Sequence, residues 1–179
     1  AAFADYGQYL DSLEMTAAIK GFEPLYIQRI AQLTNKSNQF NLTTLRCSED
    51  DIRAMAGDKN DLCLCGKLVD KFGDNGIVTV VAGRQQGDVL DLTLWLMSCR
   101  VLKRGMEDAM MDTVVAEAAA RGVKTIVGHY YPTAKNAMVR EFYAQYDFAK
   151  TAEDADGNTE WTLDVAAYTP KHPHMKIER

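Results

Sequence analysis

DVLDLTLWLMSCRVLKRGMEDAMMDTVVAEAAARG, residues 88–122, carries the reading of the fold. Leu90, Leu92, Leu94 and Leu96 recur at every second position, with Asp91, Thr93, Trp95, Met97 and Cys99 between them. That is the period of a strand, and it predicts one over 88–98 with the leucines facing the core. The alternate face mixes carboxylate, hydroxyl, indole, thioether and thiol groups, which suits either a cleft or packing beneath a helix. A β-bulge near Ser98 would re-aim Cys99. A helix follows over Met106–Arg121, with Glu107 and Asp108 in its first turn, Arg121 in its last and Gly122 as the C′ residue. Lys124–Tyr131 reads as the next strand, so 88–131 is a strand–helix–strand unit that gives one parallel pair.

Working outward, Gly73–Gly76 and Gly83–Gly87 read as turns around a strand Ile77–Ala82. Leu62, Leu64 and Leu68 alternate with Cys63, Cys65 and Lys67 in a strand before it. These short connections favour antiparallel pairing. Upstream, residues 3–20 read as an amphipathic helix through Tyr6, Leu10, Leu13 and Ala17, ended by Gly21. Pro24 opens a second helix carrying Tyr26, Ile30 and Leu33, and Ser48 caps a short third over 49–56. Downstream, Thr133 caps a helix from about Ala134 to Tyr146 with an apolar stripe of Val139, Phe142, Tyr143 and Tyr146. Phe148–Thr151 and Thr159–Val165 close a hairpin around Asp156-Gly157-Asn158. The polar tail from Pro170 reads as frayed. The fold class is α+β, a mixed and mostly antiparallel sheet flanked by helices.

The chain has 179 residues, 47% hydrophobic and 25% charged, which fits one domain with a helical extension. Its net charge of −5 argues against general affinity for nucleic acid. No apolar run is long enough to span a bilayer. The first ten residues carry no positive n-region, and the four cysteines (Cys47, Cys63, Cys65 and Cys99) form no C-x-x-C motif. Both features predict a reduced, cytoplasmic setting and no metal site.

The segment Arg29–Thr44, RIAQLTNKSNQFNLTT, ends a helix in amides and hydroxyls without a Gly or Pro. Such side chains need partners if buried. They read either as helix caps on a solvated connector or as the polar wall of a ligand site.

TNKSNQFNLTT (34–44), FGDNG (72–76), MSCRVLKRG (97–105) and PTAKN (132–136) resemble, in order, the C-terminal part of FkbH-like proteins of the HAD-IIIC type. That family loads glyceryl groups onto acyl carrier proteins. The resemblance implies an upstream HAD-like phosphatase domain with a D-x-D-x-T motif, which is absent from this chain. It also implies a GNAT-like fold, the acyltransferase fold that uses coenzyme A. On that reading residues 1–22 are a helical extension from the missing domain, 23–168 the GNAT-like domain and 169–179 a tail.

The resemblance assigns a cofactor loop to Arg100, Val101, Leu102, Lys103, Arg104 and Gly105. GNAT proteins hold the coenzyme A pyrophosphate on a loop resembling Q/R-x-x-G-x-G/A at a helix N-terminus. Here Lys103 stands where the middle glycine is usual, at a cost of roughly 1 kcal/mol if φ is positive. The substitution implies a loop suited to the single phosphate of a carrier-bound phosphopantetheine arm. Asn136 joins this set. Thr34, Asn35, Lys36, Asn38, Gln39 and Asn41 are candidates for the opposite wall, leaving a wedge between splayed strands for the pantetheine. Cys99 is the candidate nucleophile or a small buried hydrophobe. Tyr143 is a candidate general acid or a core aromatic, and His129 a possible base. The expected partners are an acyl carrier protein and the upstream domain. Two rivals stay open: a coenzyme A-dependent N-acyltransferase, and a non-catalytic module that docks the carrier.

Overall fold

In the structure, a computed structural model that describes residues 5–179, the strand expected over 88–98 forms as β4 (Val89–Met97). Its leucines do not share a face. Against β3 (Gly73–Gln86) the register runs Gly83↔Leu92 and then Ala82↔Leu94, so Thr93 is one residue more than the partner strand provides. This bulge reverses the alternation. Leu90 and Leu92 join Trp95 and Met97 in one hydrophobic cluster, and Leu94 and Leu96 join a second on the other face. Both faces of β4 are core, and the bulge lies at Thr93 instead of near Ser98.

The helix expected over 3–20 is α1 (Tyr6–Ser12) followed by β1 (Thr16–Lys20); residues 3 and 4 lie outside the described part. Glu14, at φ 52°, redirects the chain, and Met15, Ala17 and Ile19 are then buried at every second position. β1 pairs antiparallel with β2 (Asp61–Asp70) over its whole length, so 16–20 belong to the sheet. A 3₁₀ turn, Pro24–Tyr26, leads into α2 (Ile27–Lys36). Ser48 and Asp51 form a reciprocal capping box at the start of α3 (Glu49–Gly57). The β2–β3 turn falls at residues 71–72, ahead of the Gly73–Gly76 expectation, and the β3–β4 turn at 87–88.

Helix α4 (Met106–Ala120) begins at Gly105, whose φ of 89° a side chain resists, and Gly122 follows its end at φ 78°. It crosses to β5 (Thr125–Tyr130), parallel to β4. The helix expected over 134–146 is two 3₁₀ turns, Ala137–Val139 and Phe142–Tyr146. Its apolar stripe is still buried, held by ring packing of Phe142 on Phe40, Trp95 and Tyr143 more than by a helical ladder. The hairpin β6 (Ala149–Glu153) and β7 (Thr159–Asp164) closes as expected.

The tail is not frayed. Asp112 accepts from the Tyr168 hydroxyl at 2.6 Å and from the backbone N–H groups of Lys171 and His172. The chain then pairs β8 (Lys176–Glu178) parallel to β1. The eight strands run β6-β7-β5-β4-β3-β2-β1-β8. α1, α4 and the 3₁₀ turns of 137–146 share the first hydrophobic cluster, while the Pro24–Tyr26 turn, α2 and α3 share the second.

Candidate functional site

The parallel β4–β5 ladder is short: only Val89–Asp91 pairs with Thr125–Val127. Beyond it the strands separate, as the wedge expectation requires, but the chain fills the gap itself. The Leu42 N–H donates to Trp95 O, the Met97 N–H to Phe40 O and the Tyr131 N–H to Leu42 O. The Thr43 hydroxyl donates to Thr93 O at 2.7 Å. Phe40, Asn41 and Leu42 are buried. The free edge of β4 is therefore used internally, and no pantetheine chain can take those backbone groups while 40–43 stay in place.

An open cavity of about 610 Å³ remains at the C-terminal end of β4, on one side of this inserted segment. α2 and the residues after it wall it with Arg29, Lys36, Asn38 and Gln39, and the β4 exit with Met97, Cys99 and Arg100; Lys135 closes the rim. Cys99 is exposed, and its thiol donates to Gln39 Oε1 at 3.3 Å. The other cysteines differ. Burial pushes Cys63 and Cys65 up to about 12, and burial with the nearby Asp51 charge raises Cys47. No acidic residue lines the cavity, and Arg29, Lys36, Arg100 and Lys135 make no ion pair among the described residues. Its lining is net positive, a field that attracts anions.

The loop after β4 is split in its use. Ser98 Oγ accepts from the Arg100 backbone and guanidinium, holding Arg100 at the cavity. Val101 is buried in the core, and Leu102 packs beside it. Lys103 sits at φ 64°, the strained region its sequence position implied, and its carbonyl accepts from the Tyr6 hydroxyl. Arg104 turns away to an ion pair with Asp70 at 3.1 Å. Burial would raise the Asp70 carboxyl, yet the Phe72 N–H and Arg104 hold it below its ordinary value. At Gly105 an added Cβ would meet Pro173 of the tail at 3.1 Å. The helix tip already carries Glu107 and Asp108. Burial raises the Glu107 carboxyl, and its Oε2 is buried without a hydrogen bond. The six loop residues are thus not assembled around one anion; Arg100 alone of them lines the cavity.

The amide-rich segment divides likewise. Thr34 and Asn35 bind the backbone of Ala31 and Cys47. Asn41 accepts from the Thr44 N–H and donates to Ser37 O. Asn136 is fully buried and fully satisfied: Oδ1 accepts from the Thr133 N–H and the Tyr130 hydroxyl, and Nδ2 donates to Asn41 O and Tyr131 O. Asn136 therefore joins the 132–136 motif to the 34–44 motif. Lys36, Asn38 and Gln39 reach the cavity.

Tyr143 is packed between Trp95 and Phe148, and burial raises its hydroxyl. A Cβ on Gly128 would lie 2.5 Å from its ring. It does not line the Cys99 cavity. His129 is also away from Cys99. Its Nε2 lies 2.5 Å from Asp91 Oδ1, a partner that only the β4–β5 register reveals. Among the described residues no group of three His, Cys, Asp or Glu side chains is placed to hold a metal ion, and no helix is long and apolar enough to cross a membrane.

No protein-family model and no curated protein matches the chain. Solved structures do. The chain is similar to the ribosomal-protein-S18-alanine N-acetyltransferase of Escherichia coli, with a TM-score of 0.62 and 14% identity over 83% of this chain and 94% of that one. It is similar to the GNAT domain of PAT from S. lividans, with a TM-score of 0.62 and 15% identity over 82% and 89%. Spermidine N-acetyltransferase from Vibrio cholerae, solved in complex with CoA and spermine, gives a TM-score of 0.62 at 9% identity over 84% and 96%. The fold is the GNAT acyltransferase fold, as expected from the sequence.

Proposed function

We propose that this chain is the acyltransferase domain of an FkbH-like protein, which passes a glyceryl or related acyl unit from a phosphoglycerate donor to the phosphopantetheine thiol of an acyl carrier protein. The observation that carries the reading is the cavity in which an exposed thiol, Cys99, is ringed by four cations and no acid. A phosphorylated arm that bears a thioester matches both features. The terminal carbonyl lies at Cys99 and the single phosphate among Arg29, Lys36, Arg100 and Lys135. The motif resemblance in 34–136 supports the same reading.

In the transfer, the pantetheine sulfur attacks the carbonyl of an acyl group carried on Cys99, the carbonyl–Cys99 sulfur bond breaks, and Cys99 takes the proton that the pantetheine thiol gives up. The reverse exchange moves the acyl group from an acylated arm back onto Cys99. Each exchange passes through a tetrahedral oxyanion, which the positive lining of the cavity stabilises. Binding of free 4′-phosphopantetheine and of dephosphorylated pantetheine, measured by calorimetry, tests this. Tighter binding of the phosphorylated form, lost in Arg100→Ala with Lys36→Ala, supports it; equal binding of the two rejects it.

A coenzyme A-dependent N-acyltransferase is the second reading, favoured by the fold of the E. coli and V. cholerae enzymes. Against it stand Lys103 in the loop, Arg104 tied to Asp70 and a helix tip filled by Glu107 and Asp108. Acetyl-CoA turnover with an amine would favour it.

A further inference from the structure

Among the described residues, one side chain hydrogen-bonds the Cys99 sulfur. The thiol donates to Gln39 Oε1 at 3.3 Å, and Gln39 Nε2 has no hydrogen-bond partner there. The four cations of the cavity do not take its place. Arg29, Lys36 and Lys135 line the cavity without a bond to the thiol. The Arg100 guanidinium is drawn to Ser98 Oγ at 3.2 Å and Asn75 O at 3.4 Å. The cations supply a field, whereas Gln39 supplies a direction.

Both partners are mounted on fixed backbone. Next to Gln39, the Phe40 carbonyl accepts from the Met97 N–H at 3.0 Å, and Asn41 bridges Leu96 of β4. On its other side, the Ser37 carbonyl accepts from Arg46 at 2.8 Å and from Asn41 Nδ2 at 3.1 Å. Beside Cys99, the Ser98 N–H donates to Val78 O at 2.7 Å, and the Cys99 carbonyl accepts from the Leu102 N–H. The inserted segment therefore carries Gln39 to the end of β4 and holds its carboxamide against the thiol, the support that a reacting pair needs.

The chemistry follows from what each group can donate. The resting thiol has a proton, so it meets the acceptor end of the carboxamide. An acylated sulfur has none, and Oε1 then loses its donor. A half-turn of the terminal torsion, which is broad and two-fold, exchanges Oε1 for Nε2. The thioester carbonyl oxygen is two bonds from the sulfur, so an amide end standing 3.3 Å from the sulfur also reaches that oxygen. We infer that Gln39 is a catalytic residue, an assignment that rests on the reading of Cys99 as the acyl-bearing residue. Gln39 orients the Cys99 thiol through Oε1 and, once the sulfur is acylated, donates from Nε2 to the acyl oxygen as this becomes an oxyanion.

The test uses reagents with neither a carrier nor a phosphate. p-Nitrophenyl acetate acetylates Cys99, with p-nitrophenolate leaving, and peptide mapping confirms the position. Pantetheine is then added. Its sulfur adds to the acetyl carbonyl, the carbonyl–Cys99 sulfur bond breaks, and the proton of the pantetheine thiol passes to Cys99. The rate is the decay of the acetylated Cys99 peptide. Iodoacetamide alkylation of the unacetylated chain is the control, because displacement of iodide forms no oxyanion. Gln39→Met keeps the length of an exposed side chain and removes its amide. Water competes for a donor in that position, so exchange should slow by about tenfold or more, with alkylation within about threefold of the parent chain. An exchange slowed by less than this, an equal loss in both reactions, or no exchange in the parent chain overturns the assignment. If a carrier protein fails to load Cys99 while the Gln39 effect is present, the carrier reading falls and the role of Gln39 stands.

Discussion

Asn136 uses every hydrogen-bonding position it has inside the protein. The residue was legible in the sequence as part of a motif, but its chemistry was not. A resemblance marks a position without saying whether it faces a ligand or the chain. Replacing it with Ala leaves Asn41 O, Tyr131 O and the Thr133 N–H without their partner. Asn136→Ala is expected to cost about 3 kcal/mol in denaturant unfolding. A loss well under 1 kcal/mol, with function abolished, would mean that the side chain serves a ligand instead. Cys99 contrasts with its three relatives in accessibility. An alkylating reagent at pH 8 should modify the native chain at Cys99 first, since Cys63 and Cys65 are held as thiols by burial. The measurement is peptide mapping after brief labelling, and prior reaction at Cys47, Cys63 or Cys65 contradicts it.

At the scale of elements, periodicity located β4 and α4 almost to the residue but mistook which faces β4 presents. One extra residue at Thr93 moves Leu94 and Leu96 across the sheet, and nothing in an alternating pattern announces a bulge. The same limit explains 3–20. Helical and strand spacings overlap in a short apolar run, and pairing with β2 decides for a strand at 16–20. The His129–Asp91 pair was illegible for a related reason, because it depends on a parallel register between strands joined by a whole helix. The tip of α4 makes its own prediction. Burial raises the Glu107 carboxyl above its unfolded value, so the folded state holds that proton more tightly. The group's favourable contribution is complete below the unfolded pKa, ordinarily about 4.3, and is lost as pH rises through the folded value. Glu107→Gln should therefore stabilise the chain at pH 7, by about 1 kcal/mol, and the difference should shrink at pH 4. Thermal unfolding at the two pH values checks it, and an equal or larger gain at pH 4 contradicts it.

For the whole molecule, the decisive arrangement is a sheet whose splayed centre is closed by its own residues 40–43, with the Cys99 cavity beside them. The GNAT fold was legible from element order and motif resemblance together. The closure of the wedge was not, because Phe40 and Leu42 look in sequence like interruptions of a polar loop and are in fact its buried core. On the proposed reading, the thioester is received at the Cys99 cavity, outside the closed wedge. The most direct measurement is the intact mass of the chain after incubation with an acylated holo-carrier protein, followed by peptide mapping. The account predicts a covalent acyl adduct on Cys99 that is absent from Cys99→Ser and is discharged by fresh holo-carrier. An adduct that persists in Cys99→Ser, or no adduct alongside turnover of acetyl-CoA and an amine, would contradict it.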